Sequence, residues 1–197
     1  MKRLLFVILS LAIQNCFAQF EKGNLLVGGN IDFSATTQKL KASGTTSTIG
    51  KITELGLALN GGYFIINKLA VGAGISQSLK IEKPDGSSGK TTTTGFSFDP
   101  FARYYFGPVY GQVQFGVGTG NKKVDSGTST TETKRSIFKW SALVGYPIFL
   151  NASKSVALEP GVGFQSKIET IDTTGKPKDL YGSIFLRAGL QVYISRK

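Results

Sequence analysis

Apolar and polar residues alternate with a period of two in eight successive segments after Gln19, and no stretch there carries a convincing helical period. Such alternation builds half-buried strands, because neighbouring side chains point to opposite faces. The segments are Asn24 to Thr37, Ile52 to Tyr63, Leu69 to Glu82, Thr93 to Phe106, Val109 to Gly120, Ser136 to Pro147, Ser155 to Glu169 and Leu180 to Ser195. In the third, Leu69, Val71, Ala73, Ile75, Leu79 and Ile81 oppose Gly72, Gly74, Ser76, Ser78, Lys80 and Glu82. An even number of strands, each about ten residues or longer, is what a closed barrel crossing a bilayer requires.

The connections alternate as well. Gln38–Lys51, Lys83–Thr92, Asn121–Arg135 and Thr170–Asp179 read as long loops rich in Ser, Thr, Gly and Lys. Ile65–Lys68, Gly107–Pro108 and Leu150–Lys154 read as short turns. This two-ended asymmetry matches outer-membrane barrels, with long loops outside and tight turns in the periplasm. Tyr63, Tyr104, Tyr146 and Tyr193, with Tyr105 and Tyr110, lie near the short turns or the C-terminus. Phe96, Phe98, Phe138 and Trp140 lie nearer the long loops. Two aromatic girdles are expected from this sorting, since amphipathic rings favour the headgroup regions.

A lipocalin-like barrel would hold the apolar face inside. Here the polar parity carries Gly28, Gly56, Gly72, Gly74, Gly116, Gly118, Gly161, Gly163 and Gly189. Glycine weakens a solvated strand but relieves crowding inside a narrow barrel, so the polar face is assigned to the lumen. That parity also carries Asp32, Glu54, Asp99, Arg103, Glu159 and Arg187. Buried charges must pair, and a guanidinium fork can take two carboxylates. The expectation is a lumenal network joining the two arginines to the four carboxylates. Arg187 is best placed to reach Asp32, with Glu159 the other near candidate, and Glu54 to bridge toward Arg103. Lys80, Glu82, Lys139, Lys167 and Glu169 extend the network toward the mouth.

Composition narrows the chemistry. There is no histidine and one cysteine, which excludes His-dependent triads, imidazole acid–base catalysis and thiolate zinc sites. A carboxylate pair of the glycosidase kind needs an open cleft, which arginines would plug. No enzyme activity, cofactor or metal is expected. The formal charge of +11 is scattered over loops without a stacking platform, so nucleic acid is not an expected partner.

Residues 1–18, MKRLLFVILSLAIQNCFA, have the layout of a secretory signal, with Lys2 and Arg3, an apolar run from Leu4 to Ile13, and small residues ending at Ala18. Cleavage is expected before Gln19, leaving 19–197 as one barrel domain. Gln14 and Asn15 stand where a lipidated Cys16 would need small residues, so lipidation is disfavoured.

The segments LNGGYFIINKLAVGAGIS (Leu59–Ser76), FDPFARYYFG (Phe98–Gly107) and GYPIFLNASKSVALEPGVGF (Gly145–Phe164) resemble the small outer-membrane β-barrel families of the OmpA, OmpX and OmpW sort. They are most similar to the outer membrane protein beta-barrel domain proteins of Bacteroidetes-type bacteria. The resemblance implies an eight-stranded antiparallel up-and-down transmembrane barrel in the outer membrane, and lends no catalytic residues. Such barrels usually end in an aromatic residue, whereas this chain ends Ser195-Arg196-Lys197. Expected partners are outer-membrane lipids and lipopolysaccharide, the barrel-assembly machinery during insertion, and a protein at the outer loops. The expected role is structural, adhesive or envelope-interacting. The alternative is a narrow pore or an accessory subunit of an outer-membrane transport or secretion assembly.

Overall fold

Period-two sequence becomes strand throughout the computed structural model, which describes residues 18–42, 45–84, 90–125, 129–171 and 178–196. The strands are β1 (Leu25–Ala42), β2 (Thr45–Ile66), β3 (Leu69–Pro84), β4 (Lys90–Phe106), β5 (Val109–Asp125), β6 (Thr130–Gly145), β7 (Ile148–Phe149), β8 (Val156–Ile171) and β9 (Lys178–Ile194). Each long strand pairs antiparallel with the next, β6 with β8, and β9 returns to β1 to close the ring. The two-residue β7 continues the line of β6 beyond Tyr146-Pro147 and pairs Ile148 with Leu158. Pro147 has no N–H to give the ladder, so the strand breaks there and resumes. The result is an eight-staved up-and-down barrel with no free edge, which is how a sheet satisfies its backbone inside lipid.

The expected signal segment falls almost wholly on residues 1–17, outside the described residues. From Ala18 to Phe20 the chain forms a single 3-10 turn beneath the barrel. The Phe20 carbonyl accepts the Lys68 N–H at 2.6 Å.

The turn and loop ends differ in build. Gly107 turns β4 into β5 at φ 65°, a conformation that favours glycine, and Lys68 takes φ 69° between β2 and β3. Between β7 and β8, Asn151 Oδ1 accepts the N–H groups of Ser155 and Val156 at 3.0 and 3.1 Å. The opposite end corrects the sequence expectation. Most residues read as long loops are paired strand: β1 and β2 stay paired to Ala42 opposite Thr45, with one register shift between Gln38 and Lys39, and β5 and β6 to Asp125 opposite Thr130. Threonine is the reason. Its β-branch favours extended backbone, so Thr-rich polar segments continue the ladder above the apolar band. Residues 43–44, 85–89, 126–128 and 172–177, where those loops were also expected, lie outside the described residues.

The alternation sorts side chains as the glycine argument requires. Leu57, Leu59, Phe98, Val117, Val144 and Leu186 are exposed on the outer face, whereas Asp99, Arg103, Glu159, Lys167 and Arg187 are buried within. On β4 the outward apolar row runs from Phe96 to Phe106, with Thr94 above it. Ten residue steps span roughly 33 Å of strand, or about 25 Å along the normal at a barrel's usual tilt, the height of a hydrocarbon layer.

Candidate functional site

The lumen is filled in tiers. At the turn end it is aromatic: Phe20, Leu26, Phe64, Tyr105, Tyr110 and Tyr193 form one buried cluster. Phe20 stacks on Tyr105 with centroids 3.9 Å apart and meets Tyr193 edge-on at 5.5 Å. This places Tyr193, which is 2% exposed, inside the barrel and removes it from the expected girdle. Tyr105 and Tyr110 move inward with it. All three lie on the glycine-bearing parity, and parity decides facing whatever the nearness to a turn. Tyr63, Tyr104 and Tyr146 do stand on the outer face near the turn end, while Phe96, Phe98, Phe138 and Trp140 stand on the outer face at the upper edge of the apolar row.

Arg103 sits directly above the aromatic floor. Its Nη1 donates to Glu159 Oε2 at 2.8 Å and to Tyr105 Oη at 3.1 Å, and its Nε donates to Gln112 at 2.8 Å. The Tyr193 hydroxyl donates to the other Glu159 oxygen, and the guanidinium lies 4.1 Å from the centroid of the Tyr110 ring. Gly145 leaves space for that ring, since a Cβ there would collide with it. Strands β4 and β8 are not neighbours, so this pair crosses the lumen and ties opposite walls together.

In the middle tier Asp32 and Arg187 face each other in register on β1 and β9. Nε and Nη2 of the arginine donate to the two carboxylate oxygens at 2.6 and 2.7 Å, a fork geometry that a lysine cannot reproduce. Across the lumen Lys139 lies 3.1 Å from Asp99 and donates to Ser76 at 2.8 Å. The Asp99–Lys139 pair bridges β4 and β6 over the intervening β5, where Gly116 stands. Any Cβ at Gly116 would collide with Asp99 Oδ1 and Lys139 Cε.

Toward the loops, Lys167 pairs with Glu54, and Lys80 lies 2.7 Å from Glu82 and 3.9 Å from Glu169. Arg135 holds both Glu169 and Asp179 at 2.8 Å. Among the described residues, one polar cavity of about 40 Å³ lies beside Asp32, Ser76 and Lys139, and another of about 190 Å³ beside Ser34, Lys167 and Tyr181. Both are lined by Ser34 and Glu54.

The pairing corrects the expectation in detail. The two arginines do not gather all four carboxylates. Each takes one acid, and Glu159 goes to Arg103 rather than to Arg187. Glu54 and Asp99 go to lysines that the sequence placed only near the loops. Arg135, Asp179 and the aromatic floor were not singled out at all. The signal for the floor was present, since Phe101, Tyr105, Tyr110, Phe185 and Tyr193 share the glycine parity. No comparable signal pairs one charge with another across a lumen, because that depends on shear and closure.

Among the described residues, the lumenal charges are engaged in ion pairs. Lys139, a potential base beside Ser76, is held against Asp99, and the adjoining space has room for about one water. The tiers are mutually neutralising and mechanically binding.

No protein-family model matches the chain, and no curated protein matches it in sequence. Solved structures do match in fold. OprG of Pseudomonas aeruginosa aligns with a TM-score of 0.52 at 13% identity, covering 90% of this chain and 99% of that one. Ail, the attachment invasion locus protein of Yersinia pestis, aligns with a TM-score of 0.50 at 14% identity, covering 86% and 99%. The closed eight-stranded ring and its filled lumen define the class as a small antiparallel up-and-down β-barrel with an apolar outer face. Within it, the chain has the fold seen in OprG and Ail.

Proposed function

We propose that this protein is a non-enzymatic integral outer-membrane barrel, acting as an envelope or adhesive element through its outer face and the rim of extended hairpins. The carrying observation is a continuous outward apolar band around a closed ring whose lumen is occupied by paired charges and, at the turn end, by aromatic rings. Lipid is the surrounding such an outside tolerates, and an exposed apolar belt of this extent would aggregate in water. Tyr63, Tyr104 and Tyr146 on one edge and Phe96, Phe98, Phe138 and Trp140 on the other then serve as the two interfacial girdles. The Asp32, Glu54, Asp99, Arg103, Glu159 and Arg187 network serves as structural filling. The lack of histidine supports a role without catalysis. An adhesive role has a precedent in fold: the Ail structure with the heparin analogue sucrose octasulfate shares this architecture at 13% identity.

Export, insertion by the barrel-assembly machinery and outer-membrane residence belong to the same reading. The test is fractionation of cells expressing the full chain, with gel mobility compared before and after boiling. Recovery in the outer-membrane fraction as a heat-modifiable band supports the proposal, and a soluble, heat-insensitive species overturns it. Planar-bilayer recording separates the pore alternative. The aromatic floor predicts no ohmic conductance, and a steady unitary current would favour the pore.

A further inference from the structure

Above the apolar band, the outer faces of β4, β5 and β6 change character over three successive rungs. The first rung is Phe98, Val117 and Phe138; the next is Phe96, Thr119 and Ser136; the third is Thr94, Asn121 and Lys134. Rungs on one face lie about 7 Å apart along the strand, so a hydrocarbon wall gives way to hydroxyls, an amide and an ammonium over about two spacings. Two hollows indent this face, of about 320 Å³ against Thr94 and Phe96 and about 380 Å³ against Lys134 and Ser136, and they share Thr119 and Asn121. Lys123, one rung higher, stands opposite Glu132 across the ladder. Lys134 stands opposite neutral Asn121, is exposed, and makes no ion pair among the described residues. The shelf therefore combines an uncompensated cation, several hydrogen-bond donors and an apolar wall directly beneath.

We propose that this shelf seats the phosphorylated headgroup of an outer-leaflet lipid, with Lys134 on the phosphate and the acyl chains lying on Phe96, Val117 and Phe138. A free anion would use only the upper rung, and a neutral lipid only the lower ones. An amphiphile carrying phosphate uses both. The inference rests on the outer-membrane reading and deepens it, by naming a lipid class and the residues that hold it.

The test inserts the full chain into phosphatidylcholine nanodiscs doped with bis-phosphorylated lipid A and measures retained lipid by native mass spectrometry. Lys134→Gln should weaken retention about fivefold, the effect of one interfacial cation. Lys22→Gln, an exposed lysine at the turn end, should leave it unchanged. Dephosphorylated lipid A should be retained no better by the native chain than by Lys134→Gln, and soluble glucosamine 1-phosphate should not compete. Equal retention by the native chain and Lys134→Gln overturns the seat, as does full competition by the soluble phosphate. Insertion is read separately from heat-dependent gel mobility. A chain that fails to insert removes the membrane reading and the seat together, while one that inserts without discriminating phosphate removes the seat alone.

Discussion

Arg103 carries one positive charge into a space bounded by Tyr105, Tyr110, Tyr193 and Phe101, and Glu159 is the carboxylate that meets it. Both residues are almost fully buried, so neither charge has water to fall back on. Removing one partner of such a pair leaves the other uncompensated and typically costs about 3–5 kcal/mol. Arg103→Ala should therefore lower the unfolding midpoint in detergent micelles far more than Lys22→Ala at the exposed turn end. Replacing both Arg103 and Glu159 with apolar residues of similar size should recover much of the loss. Equal midpoints for Arg103→Ala and Lys22→Ala would show that the pair does not tie the two walls together. Gly116 makes the same point through space: it is the absence of a side chain there that lets Asp99 meet Lys139. The sequence disclosed that these residues share a parity, and therefore a compartment. Which acid meets which base was not legible, because Glu54 and Lys167 stand 113 positions apart and meet only once the ring has closed.

Each strand carries two separate instructions, a lower stretch patterned for lipid and an upper stretch patterned for water. On β5 the outward row passes from Val113, Phe115 and Val117 to Thr119, Asn121 and Lys123; the ladder to β6 is continuous throughout, and the ladder to β4 lapses at Phe115 and Gly116, beside Asp99 and Pro100. Element identity was readable from alternation, and facing from the glycines gathered on one parity. The upper limits were not, because Ser, Thr and Lys are read as loop by polarity while threonine's branched Cβ keeps the backbone extended. Lipid-facing charge costs about 2–4 kcal/mol near the bilayer midplane, so Val113→Arg, opposite Ala102 in the middle of the apolar row, should hinder insertion. Thr119→Arg, three rungs higher at the polar edge, should be tolerated. The check is the yield of the heat-modifiable species on refolding into phosphatidylcholine vesicles. Comparable yields for the two variants would mean that the boundary of the hydrocarbon layer lies elsewhere.

At the scale of the whole molecule, a segment outside the barrel completes its interior. Phe20 comes from the turn preceding β1 and fills the floor between Phe64, Tyr105 and Tyr193. Truncating a buried phenylalanine generally costs about 3–5 kcal/mol, through lost burial and the cavity left behind. Phe20→Ala should thus lower the unfolding midpoint while leaving planar bilayers silent, since the Arg103–Glu159 tier still spans the lumen. Ohmic current from that variant would identify Phe20 itself as the seal. By itself the sequence determined the strands, their facing and the closed barrel, because a side-chain period of two and glycine on one parity are local properties of extended backbone. Only the tertiary structure decided the partners of the lumenal charges, the packing of Tyr105, Tyr110 and Tyr193 with Phe20 into one floor, and the polar shelf around Lys134. Those depend on how far each strand is displaced along its neighbour when the sheet closes, a quantity that no single strand encodes.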